Sequence, residues 1–330
     1  MKFQEFIGID VSKDTLDVYT LSTNSSNVYS NSKKGFKSLQ SWIKRSFESL
    51  DTVVICMEYT GMYSNGIMEE LDKEGINFMM VSGLEVKRSL GIQRGKNDRI
   101  DARRLAEYIY VRRDQIVLYK LPSKSIRSIK ELLSFRCRLV KQRAGYIVSL
   151  KEYKRFMASE NARCVITCQE NLIRELSLEI KVIDKSLKQI IKTDEELEQQ
   201  YKLATSVKGV GMLLALTMIA YTNGFTSFKS WRKFASYAGT APFENTSGTS
   251  IRGKTKVSHL ANRRVKTILH LAAMSAIRHN TELRNYYNRR IASGKNKMST
   301  LNIVRNKLIS RIFATVMRQT PYVDILKYAA

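Results

Sequence analysis

Apolar residues in the first eighty positions fall in short runs whose length and period suit strands. Phe6-Ile7-Gly8-Ile9-Asp10-Val11 reads as a buried strand carrying an acid, and Thr15 to Leu21 as its hairpin partner across Ser12-Lys13-Asp14. A third short strand near 27–31 completes an antiparallel meander. Helical spacing runs from Gly35 to Phe47. The run Thr52 to Met57 then lacks alternation and ends in Glu58, as expected of a central strand covered on both faces. A helix over Tyr63–Glu74, a strand over Asn77–Val81 and a helix over Leu84–Leu90 follow.

The next stretch, Lys96 to Tyr108, reads as a helix entering a core. Asn97 suits the N-cap, acids fill the first turn, and Ile100, Leu105 and Tyr108 share an inward face. Asp98 and Asp101, three apart, point the same way. Taken alone they suit a solvated ion-pair face among Lys96, Arg99, Arg103 and Arg104 equally well.

From Pro122 to Leu203 the chain is nearly free of Gly and Pro. Leu132, Leu133, Leu139, Ile147 and Leu150, then Leu172, Ile173, Leu176, Ile180, Ile183, Leu187, Ile190 and Ile191, recur mostly at three and four residues. Two antiparallel helices or an intermolecular coiled coil would bury such stripes. Val207-Lys208-Gly209-Val210-Gly211 suits a helix-hairpin-helix turn or a plain tight turn before a buried helix. The segment 237–254 reads as a polar Ser/Thr/Gly-rich loop, and Arg263 to Met317 as about three helices with apolar stripes and basic outer faces. The fold class is therefore α/β followed by all-α: an α/β domain over 1–120, a helical coiled-coil or dimerisation region over 121–203 and a basic helical domain over 204–330.

Charge sharpens this division. The chain carries a net +26, yet residues 1–100 hold 13 basic and 13 acidic side chains while residues 201–330 hold 22 and 3. A field of that sign suits a polyanion, and basic residues interleaved with core-type apolar ones favour nucleic acid over a membrane surface. The longest apolar run, Val210 to Tyr221, is too short to cross a bilayer. The N-terminus enters its first strand with no cationic leader, so a cytoplasmic protein is expected. Cys56, Cys137, Cys164 and Cys168 are too few for a disulfide framework and have no Cys/His pair to complete a zinc site; reduced, mostly packed thiols are expected.

The topology aims Asp10, Glu58 and the Asp98/Asp101 pair at one spot. Phosphodiester chemistry needs two divalent cations about 3.5 to 4 Å apart, and hard Mg²⁺ needs several converging carboxylates. Gly8-Ile9-Asp10-Val11-Ser12-Lys13, Met57-Glu58-Tyr59-Thr60-Gly61 and Lys96-Asn97-Asp98-Arg99-Ile100-Asp101-Ala102 resemble the three signature blocks of the DEDD transposases related to the Piv invertase, the IS one-ten insertion-sequence family. The resemblance implies a RuvC-like, RNase H-like N-terminal domain with Asp10, Glu58, Asp98 and Asp101 as Mg²⁺ ligands. It also implies a serine nucleophile just before a glycine in a Pro-containing block. Ser247, five residues after Pro242 and next to Gly248, is the match, with Ser250 the competing candidate. A block usually of the form Ile-Ser-Lys-x-Gly-Asn is here Val257-Ser258-His259-Leu260-Ala261-Asn262. His259 and Ala261 replace Lys and Gly. General-base duty for His259 is the sharper reading, and a packed or phosphate-facing histidine the plainer one.

Arg252, Lys254, Lys256, Arg263, Arg264 and Lys266 are the candidate nucleic-acid contacts. The resemblance further implies donor and target DNA, a noncoding bridge RNA partner, a dimer or tetramer, and a bacterial cytoplasmic setting. The function expected is a DNA transposase or recombinase that passes through a phosphoserine link. Two alternatives stand beside it: a metal-dependent junction nuclease that forms no covalent intermediate, and a non-catalytic nucleic-acid-binding protein.

Overall fold

The computed structural model describes residues 3–89, 91, 97–156 and 160–323. They form two compact units, Met1–Leu121 and Pro122–Ala330. In the first, β1 (Glu5–Val11), β2 (Thr15–Thr20) and β3 (Ser25–Ser30) precede α1 (Lys33–Ser46), then β4 (Val53–Glu58), α2 (Asn65–Lys73), β5 (Asn77–Val81), α3 (Gly83–Ser89) and α4 (Asp98–Val111). This is the order the hydrophobic pattern predicts. The helix expected from Tyr63 begins at Asn65, after a short 3-10 turn over Gly61–Ser64. Gly61 takes φ +72°, the left-handed value that lets the chain turn out of β4. Leu90 and Lys96, included in the expected helices, lie outside the described residues.

The five strands run in the order β3-β2-β1-β4-β5. β1 is antiparallel to β2, and β2 to β3, while β1–β4 and β4–β5 are parallel. Alternation then sorts the side chains between two faces. Ile7, Ile9 and Val11 of β1, with Val53, Ile55 and Met57 of β4, pack against Phe36, Leu39 and Ile43 of α1 and Ile67, Met68 and Leu71 of α2. Phe6, Val54 and Cys56 pack on the other face against Leu105, Tyr108 and Ile109 of α4 and Val86 of α3. β4 is thus buried on both faces, which explains its unbroken apolar run.

The second unit comprises α5 (Lys124–Phe156), α6 (Glu160–Lys192), α7 (Glu195–Ser206), α8 (Met212–Thr222), α9 (Trp231–Tyr237), β6 (Pro242–Ser247), β7 (Ile251–Val257), α10 (Arg263–His279), α11 (Thr281–Ala292) and α12 (Lys297–Arg318). α5 and α6 lie against each other, joined by Arg136 donating to both oxygens of Asp184 at 2.7 and 3.1 Å. A single core runs from Ile126 and Leu133 of α5 through Ile183 and Leu187 of α6 to Val304 and Val316 of α12. Part of the expected stripe is therefore spent inside this unit, whereas Ile147 and Leu172 remain exposed. Gly209 has a packing role: a Cβ there would come within 2.5 Å of the Ala276 Cβ. That favours the plain tight turn over a phosphate cradle.

Two expectations need correction. The segment read as a loop is a two-stranded antiparallel hairpin, β6–β7, with Ser247 opposite Ile251. All of β6 is exposed, so it has no apolar alternation by which a strand is recognised. The thiols are also less packed than expected. Cys56 is buried and Cys137 half-buried, but Cys164 and Cys168 are exposed; all four are free.

Two glycines separate close packing from mere flexibility. A Cβ at Gly8 would lie 1.9 Å from the Ala102 carbonyl oxygen and 2.6 Å from the Ala106 nitrogen, whereas Gly145, exposed within α5, meets nothing within 4 Å. Gly8→Ala should destabilise the first unit by about 1–3 kcal/mol through overpacking. Gly145→Ala should stabilise by about 0.5–1 kcal/mol through helix propensity. Urea unfolding of the two variants checks both signs.

Candidate active site

The parity that places Phe6 on the α4 face places Asp10 there too, and likewise Glu58 with Val54 and Cys56. Ile9 pairs in parallel register with Met57, so Asp10 and Glu58 stand level at the carboxyl ends of adjacent strands. Asp10 also lies directly opposite Asp17 on β2.

α4 delivers the remaining acids because Gly8 lets it lie against β1. Ala102 and Ala106 sit over Gly8. From Gly8 to Asp10 is two strand steps, about 6.6 Å. From Ala102 back to Asp98 is four helix steps, about 6 Å. Both elements therefore advance together from the contact to a carboxylate. Asn97 caps the helix, its side chain accepting from the Ile100 N–H at 2.8 Å. This agrees with the sequence expectation and fixes where the first turn begins. Asp101 accepts from Arg104 at 2.8 Å and is half-buried, whereas Asp98 is exposed. Arg99 ties α4 to β3 by donating to the Ser26 hydroxyl at 2.9 Å. Glu58 rests against Gly83 at the start of α3, where a Cβ would come 2.2 Å from its Oε1.

The electrostatics follow from this placement, with the acids sharing one field. Burial, then Asp101, Asp98, Glu58 and Asp17 in that order, push the Asp10 carboxyl from 3.8 up to about 6. Burial and Asp98 also raise Asp17. Asp17 is the acid the sequence reading did not single out. A hairpin register counted outward from a two-residue Lys13-Asp14 turn, rather than from the Ser12-Lys13-Asp14 loop, would have set it opposite Asp10. Among the described residues, no three carboxylates, thiols or imidazoles close on one point tightly enough to grip a single cation. The donors are all hard carboxylate oxygens whose mutual repulsion resists ionisation. In chemical type such a donor set suits a hard divalent cation.

Ser247 belongs to the second unit, as the last residue of β6 beside Gly248, whose φ of +53° turns the hairpin tip. Ser250 lies within that same turn. Arg252, Lys254 and Lys256 stand exposed along β7, and Arg263 is exposed at the start of α10. Arg264 instead turns inward, donating to the Leu133 carbonyl and, at 3.5 Å, to the Tyr221 hydroxyl. Lys266 is half-buried. His259 is exposed and precedes α10, so it is not the packed histidine of the plainer reading. His270 and His279 share α10.

Comparison with known proteins agrees with both halves. A DEDD transposase model matches residues 7–153, and a model described as the transposase IS116/IS110/IS902 family matches residues 201–288. The chain belongs to the IS110 family of transposases. It is 25% identical to the pilin gene-inverting protein of Moraxella bovis, an alignment covering 96% of this chain and 97% of that one. It is 24% identical to the transposase for insertion sequence element IS1111A of Coxiella burnetii, covering 98% and 92%. An IS110 protein of Streptomyces coelicolor is 35% identical over 118 residues, 36% of this chain and 29% of that one. The enzyme is thus a DNA transposase or recombinase. No helix among the described residues is long and apolar enough to cross a membrane.

The transposase's stability in the absence of metal should register the acid field. Asp10 keeps its proton to a higher pH folded than unfolded, so it contributes stability that is full below about pH 4 and lost as pH rises through about 6. Asp17 acts in the same direction. In EDTA, wild-type stability should fall across that window, and Asp10→Asn should flatten the fall and unfold at higher urea at pH 7.5. Equal pH slopes for the two proteins would contradict the shared field.

Proposed function

We propose that this IS110-family enzyme cuts and rejoins DNA through a Mg²⁺-dependent site in which Asp10, Glu58, Asp98 and Asp101 hold the cations and Ser247 is the nucleophile. The observation that carries the reading is the raised Asp10 carboxyl, whose causes include the three other acids of the set. Bound Mg²⁺ would neutralise that repulsion, activate the attacking oxygen and stabilise the charge on the leaving one. The chain's own residues do the rest. Asp10 and Glu58, on rigid strand ends, fix the position of the cations. Arg104 holds Asp101 in place. The Ser247 Oγ attacks phosphorus and displaces a deoxyribose oxygen, its proton passing by way of solvent to that leaving oxygen, and a second DNA hydroxyl then attacks the phosphoserine ester, returning Ser247 to its free hydroxyl. Arg252 and Lys254, on the same hairpin, are suited to balancing the charge that grows on the phosphorane.

We read residues 1–120 as a RuvC-like, RNase H-like catalytic domain. The order of three antiparallel strands followed by two parallel ones supports this. Residues 121–203 serve in dimerisation or tetramerisation, a role supported by exposed Phe135, Ile147, Val148, Leu172, Leu178 and Val182 on α5 and α6. Residues 204–330 form the basic transposase domain. There Arg252, Lys254, Lys256, Arg263 and Lys266 contact donor or target DNA, or a noncoding bridge RNA that directs the reaction in the bacterial cytoplasm. The names of the two long relatives, an inverting protein and a transposase, support DNA rejoining over simple cleavage.

Recombination in cells between a supplied element end and a target should vanish in both Ser247→Ala and Glu58→Ala, with Ser250→Ala retaining it. Joining that persists in Ser247→Ala but is lost in Glu58→Ala would return the reading to a metal-dependent junction nuclease.

A further inference from the structure

Behind the Ser247 hairpin lies a group of side chains that the proposed chemistry does not use. Arg305 of α12 is only 6% exposed, and among the described residues no carboxylate pairs with it. Its Nη1 donates to the Asn302 Oδ1 at 3.2 Å and its Nη2 lies 2.6 Å from the His270 Nδ1, while its Nε has no partner. A guanidinium can only donate, so the His270 Nδ1 must accept and that ring carries its proton on Nε2. Lys266, one turn before His270 on α10, is half-buried and meets no acceptor among the described residues. Arg305 Nε is therefore a buried donor with no answering acceptor, and the half-buried His270 ring and Lys266 ammonium stand beside it with donors to offer.

Charge points the same way. Burial lowers Arg305, and burial together with Arg305 lowers both Lys266 and His270. A buried cation without a counter-ion is costly, and a second cation at its side adds to that cost, unless an anion is the missing member. Asn302 and Asn306 donate to the Thr240 carbonyl at 2.8 and 2.9 Å, tying the cluster to the residues that lead into β6. From Pro242 at the base of the hairpin to Ser247 near its tip is five strand steps, about 17 Å.

We propose that Arg305, Lys266 and His270 form an anion site that takes a backbone phosphate of bound nucleic acid, a few nucleotides from the phosphate that Ser247 attacks. The site anchors the strand at the root of the hairpin and reads no base. The inference rests on the reading of this chain as a nucleic-acid enzyme, but not on Ser247 being the nucleophile.

Inorganic phosphate is the first probe, exchanged for chloride at constant ionic strength with no divalent metal present. The wild-type melting midpoint should rise with phosphate, and the rise should be lost in Lys266→Gln and Arg305→Met. Without phosphate, Arg305→Met should melt no lower than wild type, since it removes an uncompensated buried charge. That keeps the test independent of a folding defect. Ser247→Ala should keep the full rise, so failure of the nucleophile reading leaves this one standing.

Affinity is then measured against a random-sequence DNA duplex and an RNA hairpin. Lys266→Gln should lower the salt slope by about one for whichever strand occupies the site, assigning the phosphate to DNA or to RNA. A wild-type midpoint insensitive to phosphate, or variants that keep both the rise and the slope, would overturn the proposal.

Discussion

The near-contact of α4 with β1 at Gly8 is the constraint on which the acid site depends. Hydrogen there, in place of a methyl, lets the Ala102 and Ala106 backbone come down onto the sheet. Two of the four family acids reach the strand ends only because the helix lies that close. The alternation of β1 and β4 does the rest, since one parity buries Ile7, Ile9, Ile55 and Met57 against α1 and α2 while the other presents Asp10 and Glu58 to α4. A one-residue slip in either strand would bury a carboxylate in the apolar layer and expose its neighbour.

The cost of this arrangement is stored electrostatically. Carboxylates gathered at a half-buried strand end repel one another, and Asp10 responds by holding its proton to about pH 6. Arg104 relieves part of the repulsion at Asp101. In the second unit, Arg305 and Lys266 have no carboxylate partner among the described residues. Each unit thus carries charge that its own fold does not neutralise, negative in one and positive in the other. That is the signature expected when cations and a polyanion complete the protein.

Much of this could be read from residues alone. The strand and helix order of the first unit follows from hydrophobic period and the Asn97 cap from its position before Asp98, whereas the three acid blocks stand out by resemblance to a family. Ser247 came from resemblance to a family, since no local pattern marks a nucleophile in a polar stretch. The β6–β7 hairpin escaped because β6 is exposed along its whole length and shows no apolar alternation, so the segment reads as a polar loop. Asp17 escaped because its significance depends on a cross-strand register, and Arg305 because it reads with Lys307 and Arg311 as part of a basic outer helix face, whereas the fold buries it.

The most direct test of the shared acid field is electron paramagnetic resonance of Mn²⁺ added to the full chain bound to a DNA duplex. The account predicts two ions whose spectrum shows mutual coupling, with the coupled signal lost in Asp10→Asn and in Glu58→Ala. A single uncoupled ion in the wild type, or a coupled pair that survives both substitutions, would contradict it.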